Sequence, residues 1–492
     1  MNAAASSRAG QGLVVVVIVA GAVLCGIALA QLPSDVAFGV RHWLLIAALA
    51  AMTVTVIVHV ARKKQLLSPL GIIALTVFVY FVVRPLELSL SAGELMNTSY
   101  NLRATPLQAV TELRSQEIAL FVHARMVGPF DDTMTRAMLA LVVFFALLLV
   151  GYRLPVSARL ATRLSQLGTS MHGLDLRWVI VVWLTVGAFG ELLVLTQVGG
   201  PAGAVSRLAT QGNFSGDFIT LIILNFYTAG LMLWICWHPP ESRGGRALLV
   251  CAVCELALFY SLLGSRTLVL VPLLLVVLAW HERVKPFRLR VLVSVGIATV
   301  LFSSAYLTLR QDSGSRPLKD AIVDLPRHAF DARAILGASP VYDQVFAEMN
   351  LIPKAEGYRY GGEFAQGILG QVPSVIYPDK PEANDITFRK LVWGERFLAG
   401  RPIGAAGEFY RDFGFVGIVF GSLLFGVIAR ALTGMRANVG APAGRELRIA
   451  IYVLGVLLAY QFTVGSYSLV FGSGLAVAVP LFLALRIFAR PA

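Results

Sequence analysis

Runs of about twenty apolar residues recur along the whole chain, and that repetition restricts its fold more than any other feature of the sequence. A helix needs about 20 such residues to cross the hydrocarbon of a bilayer. Spans are expected near 12–32, 42–60, 67–86, 134–152, 178–197, 217–238, 247–263, 267–281, 290–308, 412–432, 449–466 and 470–489. The seventh and eighth are short and separated only by Gly264-Ser265-Arg266. Charged residues make up 14% of the chain, against about 25% in a soluble domain. The expected fold is therefore an all-α integral membrane protein with about 12 transmembrane helices. Nine helices occupy 1–308, interrupted by a smaller extracytoplasmic loop at 87–133. A large loop follows at 309–411, and three more helices at 412–492.

The net charge of +13 would suggest nucleic acid in a soluble protein. Here the basic residues flank spans, so topology explains them and no nucleic-acid partner is expected. Alternate short connections hold Arg62-Lys63-Lys64, then Arg153, Arg159, Arg163 and Arg177, then Arg243 and Arg246. The same side continues with Arg283, Lys285, Arg288 and Arg290, then Arg430, Arg436, Arg445 and Arg448, and finally Arg486 and Arg490. The opposite short connections hold only Arg41, Arg207 and Arg266. The positive-inside rule then places both termini in the cytoplasm and both long loops outside. Arg8, an apolar run and Ala28-Leu29-Ala30 resemble a signal peptide, but the length of the run favours an uncleaved first span.

Two helices are expected in the outer loops. Thr105-Pro106 supplies an N-cap and a first-turn proline, and Leu107, Val110, Leu113, Ile118 and Phe121 give an apolar stripe suited to a membrane surface. Ser339-Pro340 opens a similar helix through Val341, Val345, Phe346 and Met349. Cys25, Cys236, Cys251 and Cys254 all lie in apolar stretches with no second pair or histidine to complete a zinc set. No cofactor or metal site is expected.

Chemistry concentrates in the large loop and at its edges. Arginine's planar fork suits bidentate phosphate recognition, and Arg266, Arg310, Arg327, Arg401 and Arg411 share one face of the membrane. Single arginines snorkelling to headgroups are the simpler alternative. His328, the only histidine of the large loop, has the pKa of a general base or serves the packing. Glu408 can take a proton, orient an arginine or stabilise a helix start. Tyr358-Arg359-Tyr360, Tyr377, Trp393 and Tyr410 offer rings for stacking on sugars or for a membrane interface. Glu191 and Glu255, placed inside spans, are functional candidates or structural partners of an arginine such as Arg84 or Arg266. Gly417 and Gly421 read as a helix-packing pattern.

Three blocks stand out: Gly361-Gly362-Glu363, Pro373-Ser374-Val375-Ile376-Tyr377-Pro378-Asp379-Lys380-Pro381, and Gly407-Glu408-Phe409-Tyr410-Arg411-Asp412-Phe413-Gly414. With the Gly264-Ser265-Arg266 break and the Arg310 exit, they resemble the Wzy-type polymerases of bacterial O-antigen and exopolysaccharide repeat units, over about residues 260–430. Members often have Arg after the first proline of the Pro-rich turn; here it is Ser374, and Lys380 is the obvious substitute. The resemblance implies a bacterial inner-membrane glycosyltransferase working at the periplasmic face. It would transfer a growing chain from undecaprenyl pyrophosphate to a new lipid-linked repeat unit. A chain-length regulator and a flippase would be its partners, besides the lipid-linked oligosaccharide and the bilayer. On that basis Arg266, Arg310, Lys380, Arg401 and Arg411 bind the pyrophosphate, His328 or Glu408 is the base, and Tyr360, Tyr377 and Tyr410 line the sugar path. The alternatives are an O-antigen ligase or another lipid-linked sugar transferase using Asp35, Asp131 or Asp132, and a flippase or transporter relying on Glu191 and Glu255.

Overall fold

The computed structural model describes residues 40–86, 127, 130–165, 176–200, 203, 218–262, 266–288, 291, 294, 341–393, 402–437 and 445–488. These residues are helical throughout, joined by turns, with no β-strand among them. Eight helices are long and apolar enough to cross a membrane, and Ile222–Trp237 is a shorter apolar one. The expected span at 12–32, most of that at 290–308, and the surface helix expected after Thr105 lie outside the described residues.

In chain order the helices are α1 (Val40–Arg62), α2 (Pro69–Leu86), α3 (Phe130–Arg153), α4 (Pro155–Ser165) and α5 (Arg177–Gln197). Next come α6 (Phe218–Trp237), α7 (Arg243–Leu262) and α8 (Arg266–Arg283). The large loop supplies α9 (Val341–Leu351), α10 (Gly362–Leu369) and α11 (Asn384–Trp393). The chain then returns through α12 (Gly404–Ala437), α13 (Arg445–Val464) and α14 (Tyr467–Phe488). The two short spans expected around Gly264 correspond to separate helices, α7 beginning early at Arg243 and α8 at Arg266.

Two hydrophobic clusters organise the bundle. One joins α1, α2, α3, α9 and α12; the other joins α5, α6, α7, α8, α13 and α14. Large apolar side chains such as Phe189, Leu192, Leu248, Leu258, Phe420, Leu424 and Phe482 remain exposed on the long helices, as lipid-facing surfaces require. α3 and α12 approach each other closely. A Cβ on Gly151 would lie 2.1 Å from the Leu423 carbonyl oxygen, and one on Gly426 would lie 2.0 Å from that of Leu148. Small residues are what allow two helix backbones to meet so closely. Gly417 and Gly421, expected to pack helices, instead face Phe409 of their own helix, whose carbonyl oxygen and ring occupy the space a side chain would need.

The apolar spacing of α9 suits a surface helix and a packed loop subdomain alike, and the structure takes the second course: all of its residues are buried, including Asp343, Gln344, Glu348 and Asn350. The helix is wedged between α2, α3 and α12, and polar partners rather than solvent absorb its polar face. Arg84 Nε and Nη2 donate to Asp343 Oδ1 and Oδ2 at 3.0 and 2.8 Å. The Val127 N–H donates to Asn350 Oδ1 at 3.2 Å. Arg84 is thus spent on the loop helix, not on Glu191 as considered from sequence. Glu191 is buried in α5, and its Oε1 has no hydrogen-bond partner.

The two ends of the bundle differ chemically. One end carries the basic connections, where Arg283 pairs with Glu446 at 3.3 Å and donates to the Cys236 carbonyl at 2.8 Å. Arg436 pairs there with Glu282 at 2.8 Å. The other end receives the α9–α11 segment, tied in where the Gly404 N–H donates to the Gly465 carbonyl at 2.8 Å.

Candidate functional site

At that second end the first and third sequence blocks converge, and a break in α12 is the reason. Phe413 (φ −140°, ψ 15°) and Gly414 (φ 64°, ψ −147°) leave the helical region. Only glycine adopts the second conformation readily. The break frees the carbonyls of Arg411 and Asp412, which accept the Arg359 and Tyr360 N–H groups at 3.0 and 2.8 Å. The start of α10 lacks a cap of its own, since Gly361 (φ 87°) has no side chain. Asp412 Oδ1 supplies one from across the site, accepting the N–H groups of Gly361 and Glu363 at 3.0 Å each. An anion suits the positive end of a helix.

Arg411 is the centre. It is almost wholly buried, with Nη1 3.2 Å from Glu363 Oε1, Nη2 3.4 Å from Glu356 Oε2, and the guanidinium 5.5 Å from the centre of the Phe388 ring. Arg359 reaches the same Glu363 oxygen at 3.2 Å from the half-exposed side. The other Glu363 oxygen accepts from Asn384 Nδ2 at 2.6 Å, and that amide lies 3.4 Å from Glu408 Oε2. Glu408 is fully buried, and its Oε1 accepts the Tyr467 N–H at 3.2 Å, capping α14. Asn384 is fixed in turn by a reciprocal pair of bonds with Ser468.

Glu348 completes the cluster from α9. It is fully buried, and neither oxygen has a hydrogen-bond partner. It accounts for a glycine in the third block: a Cβ on Gly407 would lie 2.6 Å from Glu348 Oε2. Burial pushes the Glu348 carboxyl well above its ordinary value of 4.5, with Arg411 opposing and Glu408, Glu363 and Glu356 adding to the rise. Burial raises Glu363 as well, against the pull of Arg411 and Arg359. The folded chain therefore holds protons that the unfolded chain releases. This contribution to stability is full below about pH 4.5 and declines as pH rises through the raised values. Glu348→Gln should flatten that decline when the thermal midpoint is followed in detergent from pH 4.5 upward. An unchanged slope would mean that Glu348 is ionised in the fold.

The residues singled out from sequence are distributed unevenly around this centre. Glu408 and Arg411 meet in it. Tyr410 is buried beside it, its hydroxyl donating to the Ile352 carbonyl at 3.2 Å and its ring edge-on to Tyr358. Tyr360 is 75% exposed at the rim and edge-on to Phe413. Tyr377 lies apart on the Pro-rich turn, and Lys380 donates there to the Val372 carbonyl at 3.2 Å. Arg266 is the first residue of α8, with its side chain outside the described residues, and Arg310, Arg327, His328 and Arg401 lie outside them altogether. Glu348, Glu356, Glu363, Asn384 and Asp412 were not among the sequence candidates. Only the glycines beside Glu363 and Glu408 hinted at them.

The cluster keeps unspent hydrogen-bonding capacity on both signs of charge. Arg411 Nε and Nη1, both Glu348 oxygens and Glu363 Oε1 are buried without hydrogen-bond partners. The contacts of Arg411 with Glu363 are thus charge contacts, not aligned hydrogen bonds. Buried donors and acceptors together suit hydroxyl groups, which both donate and accept. Among the described residues no group of His, Cys, Asp or Glu is arranged to hold a metal ion. No protein-family model matches the chain, and no curated protein or solved structure matches it significantly.

Proposed function

We propose that this chain is a glycosyltransferase that polymerises undecaprenyl-pyrophosphate-linked oligosaccharide units at the periplasmic face of a bacterial inner membrane. The observation that carries this reading is the convergence of the Gly361-Gly362-Glu363 and Gly407–Gly414 blocks on one buried carboxylate–guanidinium cluster at the end of the bundle opposite the basic connections. The positive-inside rule then turns the site outward, with both termini cytoplasmic and about twelve spans in all. A lipid-linked donor is presented at that face without any need for a nucleotide.

In the proposed reaction the bond between the sugar's anomeric carbon and the pyrophosphate oxygen breaks, and the pyrophosphate leaves with the electron pair. An acceptor hydroxyl forms the new bond and gives its proton to a base, either the Glu408 carboxylate or the His328 imidazole. The cations near the membrane surface, Arg266, Arg310, Lys380 and Arg401, stabilise the charge that develops on the leaving group. Arg411, held by its acids, orients Glu363 and Glu408 in this reading, and Tyr360 offers a sugar-facing ring at the rim.

Purified protein reconstituted with one lipid-linked repeat unit should produce a ladder of longer products. Arg266→Ala and Arg310→Ala should abolish the ladder while leaving membrane insertion intact. Product of unchanged length would remove the polymerase reading. The buried carboxylate of Glu191 inside a span favours a second reading, a transporter. In sealed vesicles a transporter moves the lipid-linked sugar across without lengthening it.

A further inference from the structure

The Pro-rich block carries a lysine and a tyrosine, yet its most unusual property is apolar exposure. Val375 is 89% exposed and Ile376 75%, and Phe364, Ile368 and Leu369 of α10 are each close to half exposed. A water-facing loop would not be expected to gather these side chains on one surface. Their position relative to α14 supplies the reason.

α10 runs alongside the first turns of α14, a helix long and apolar enough to span the bilayer. A Cβ on Gly367 would lie 2.6 Å from Tyr467 Cβ, and the Phe364 ring packs edge-on against Tyr467 and Phe471. One turn further, Gln371 Nε2 donates to the Ser468 carbonyl at 3.0 Å, and its Oε1 sits 2.8 Å from where a Cβ on Gly472 would be. Gly472 lies about 7 Å along the helix axis from Tyr467, at 1.5 Å per residue. The chain then turns at Pro373–Tyr377 and comes back, so that the Asn384 N–H donates to Ser468 Oγ at 3.1 Å. It descends beside α14 and returns to the level where it started.

We propose that residues 364–377 form a re-entrant hairpin inserted into the bilayer leaflet on the site's side, with Phe364, Ile368, Leu369, Val375 and Ile376 in contact with lipid. The occupant of this surface is the acyl and headgroup boundary, because the apolar face continues the lipid-facing side of α14, where Leu475 and Phe482 are also exposed. The turn of the hairpin binds part of its own backbone, as non-helical chain at membrane depth requires: the Ile376 and Tyr377 N–H groups donate to the Pro373 carbonyl, and Lys380 caps the Val372 carbonyl. The inference rests on reading α14 as a membrane span.

The test uses the full chain with its four cysteines replaced, reconstituted in phosphatidylethanolamine–phosphatidylglycerol vesicles. A nitroxide is attached at Val375→Cys or Ile376→Cys, with Leu475→Cys as lipid reference and Glu382→Cys as water reference. Accessibility to oxygen against a water-soluble nickel complex should match Leu475 at both tip positions. Tip positions that match Glu382, or that are closed to both reagents as in contact with a second copy, would overturn the hairpin. A water-accessible Leu475 would overturn the span and the hairpin together. On the unmodified chain, a photoactivated carbene carried by lipid should label 364–377 as well as α14; label on α14 alone would also overturn the proposal.

Discussion

Arg411→Ala should lower the stability of the protein by about 3–5 kcal/mol, the usual cost of removing one partner from a buried ion pair. The loss comes less from the missing contacts than from what remains. Glu363, fully buried, would keep only the half-exposed Arg359 as counter-charge, and Glu356 would lose its partner at 3.4 Å. The Phe388 ring would lose the cation over its face. Because the damage is an uncompensated acid, Arg411→Ala combined with Glu363→Gln should recover much of the loss, although each change alone disturbs the same contact. Thermal unfolding in detergent reads both effects. A single variant with an unaltered midpoint would mean that Arg411 is not the centre of the cluster. Chain extension should be absent in both variants if Arg411 orients the reacting groups.

Gly414→Ala should cost about 1–3 kcal/mol for the backbone alone, since its torsion angles are essentially restricted to glycine. A steric cost is added, because the new methyl would stand 2.9 Å from the Tyr358 ring. These parts are separable. Tyr358→Ala in the same chain removes the collision and leaves the torsional strain, so the double variant should be more stable than the sum of the single changes predicts. Additivity would mean that the ring already has room to move. The consequence for activity should exceed that for stability. The break at Gly414 is what frees the Arg411 and Asp412 carbonyls for Arg359 and Tyr360 and aims Asp412 at the start of α10. Straightening α12 would draw all four residues apart.

Much of the architecture was legible from hydropathy. The helices of the bundle fall close to the apolar runs, and the basic residues gather at one end, because both patterns depend on lipid and neither depends on a distant residue. The site was legible only in part. Gly361-Gly362-Glu363 and Gly407-Glu408 stood out as blocks, but nothing local says that Asp412 caps α10, or that Asn384 bridges Glu363 and Glu408. Glu348 was hidden for a different reason. Its helix has the apolar spacing of a surface element, and its polar residues read as the wet side, when in fact they face Arg84, Gly407 and the acid cluster. Hydropathy sets Arg84 beside carboxylates of neighbouring spans, whereas its partner Asp343 enters the bundle on the loop helix α9.

The contact of Gly151 and Gly426 with the backbones opposite leaves no layer of side chains between α3 and α12. Two rods touching main chain to main chain have nothing soft between them to compress or slide, so this pair behaves as one beam. Were the proposed lipid-linked substrate to arrive on that side, it would meet a fixed wall. Any widening needed to admit it falls to the joint at Phe413–Gly414 and to the chain segments hung from it.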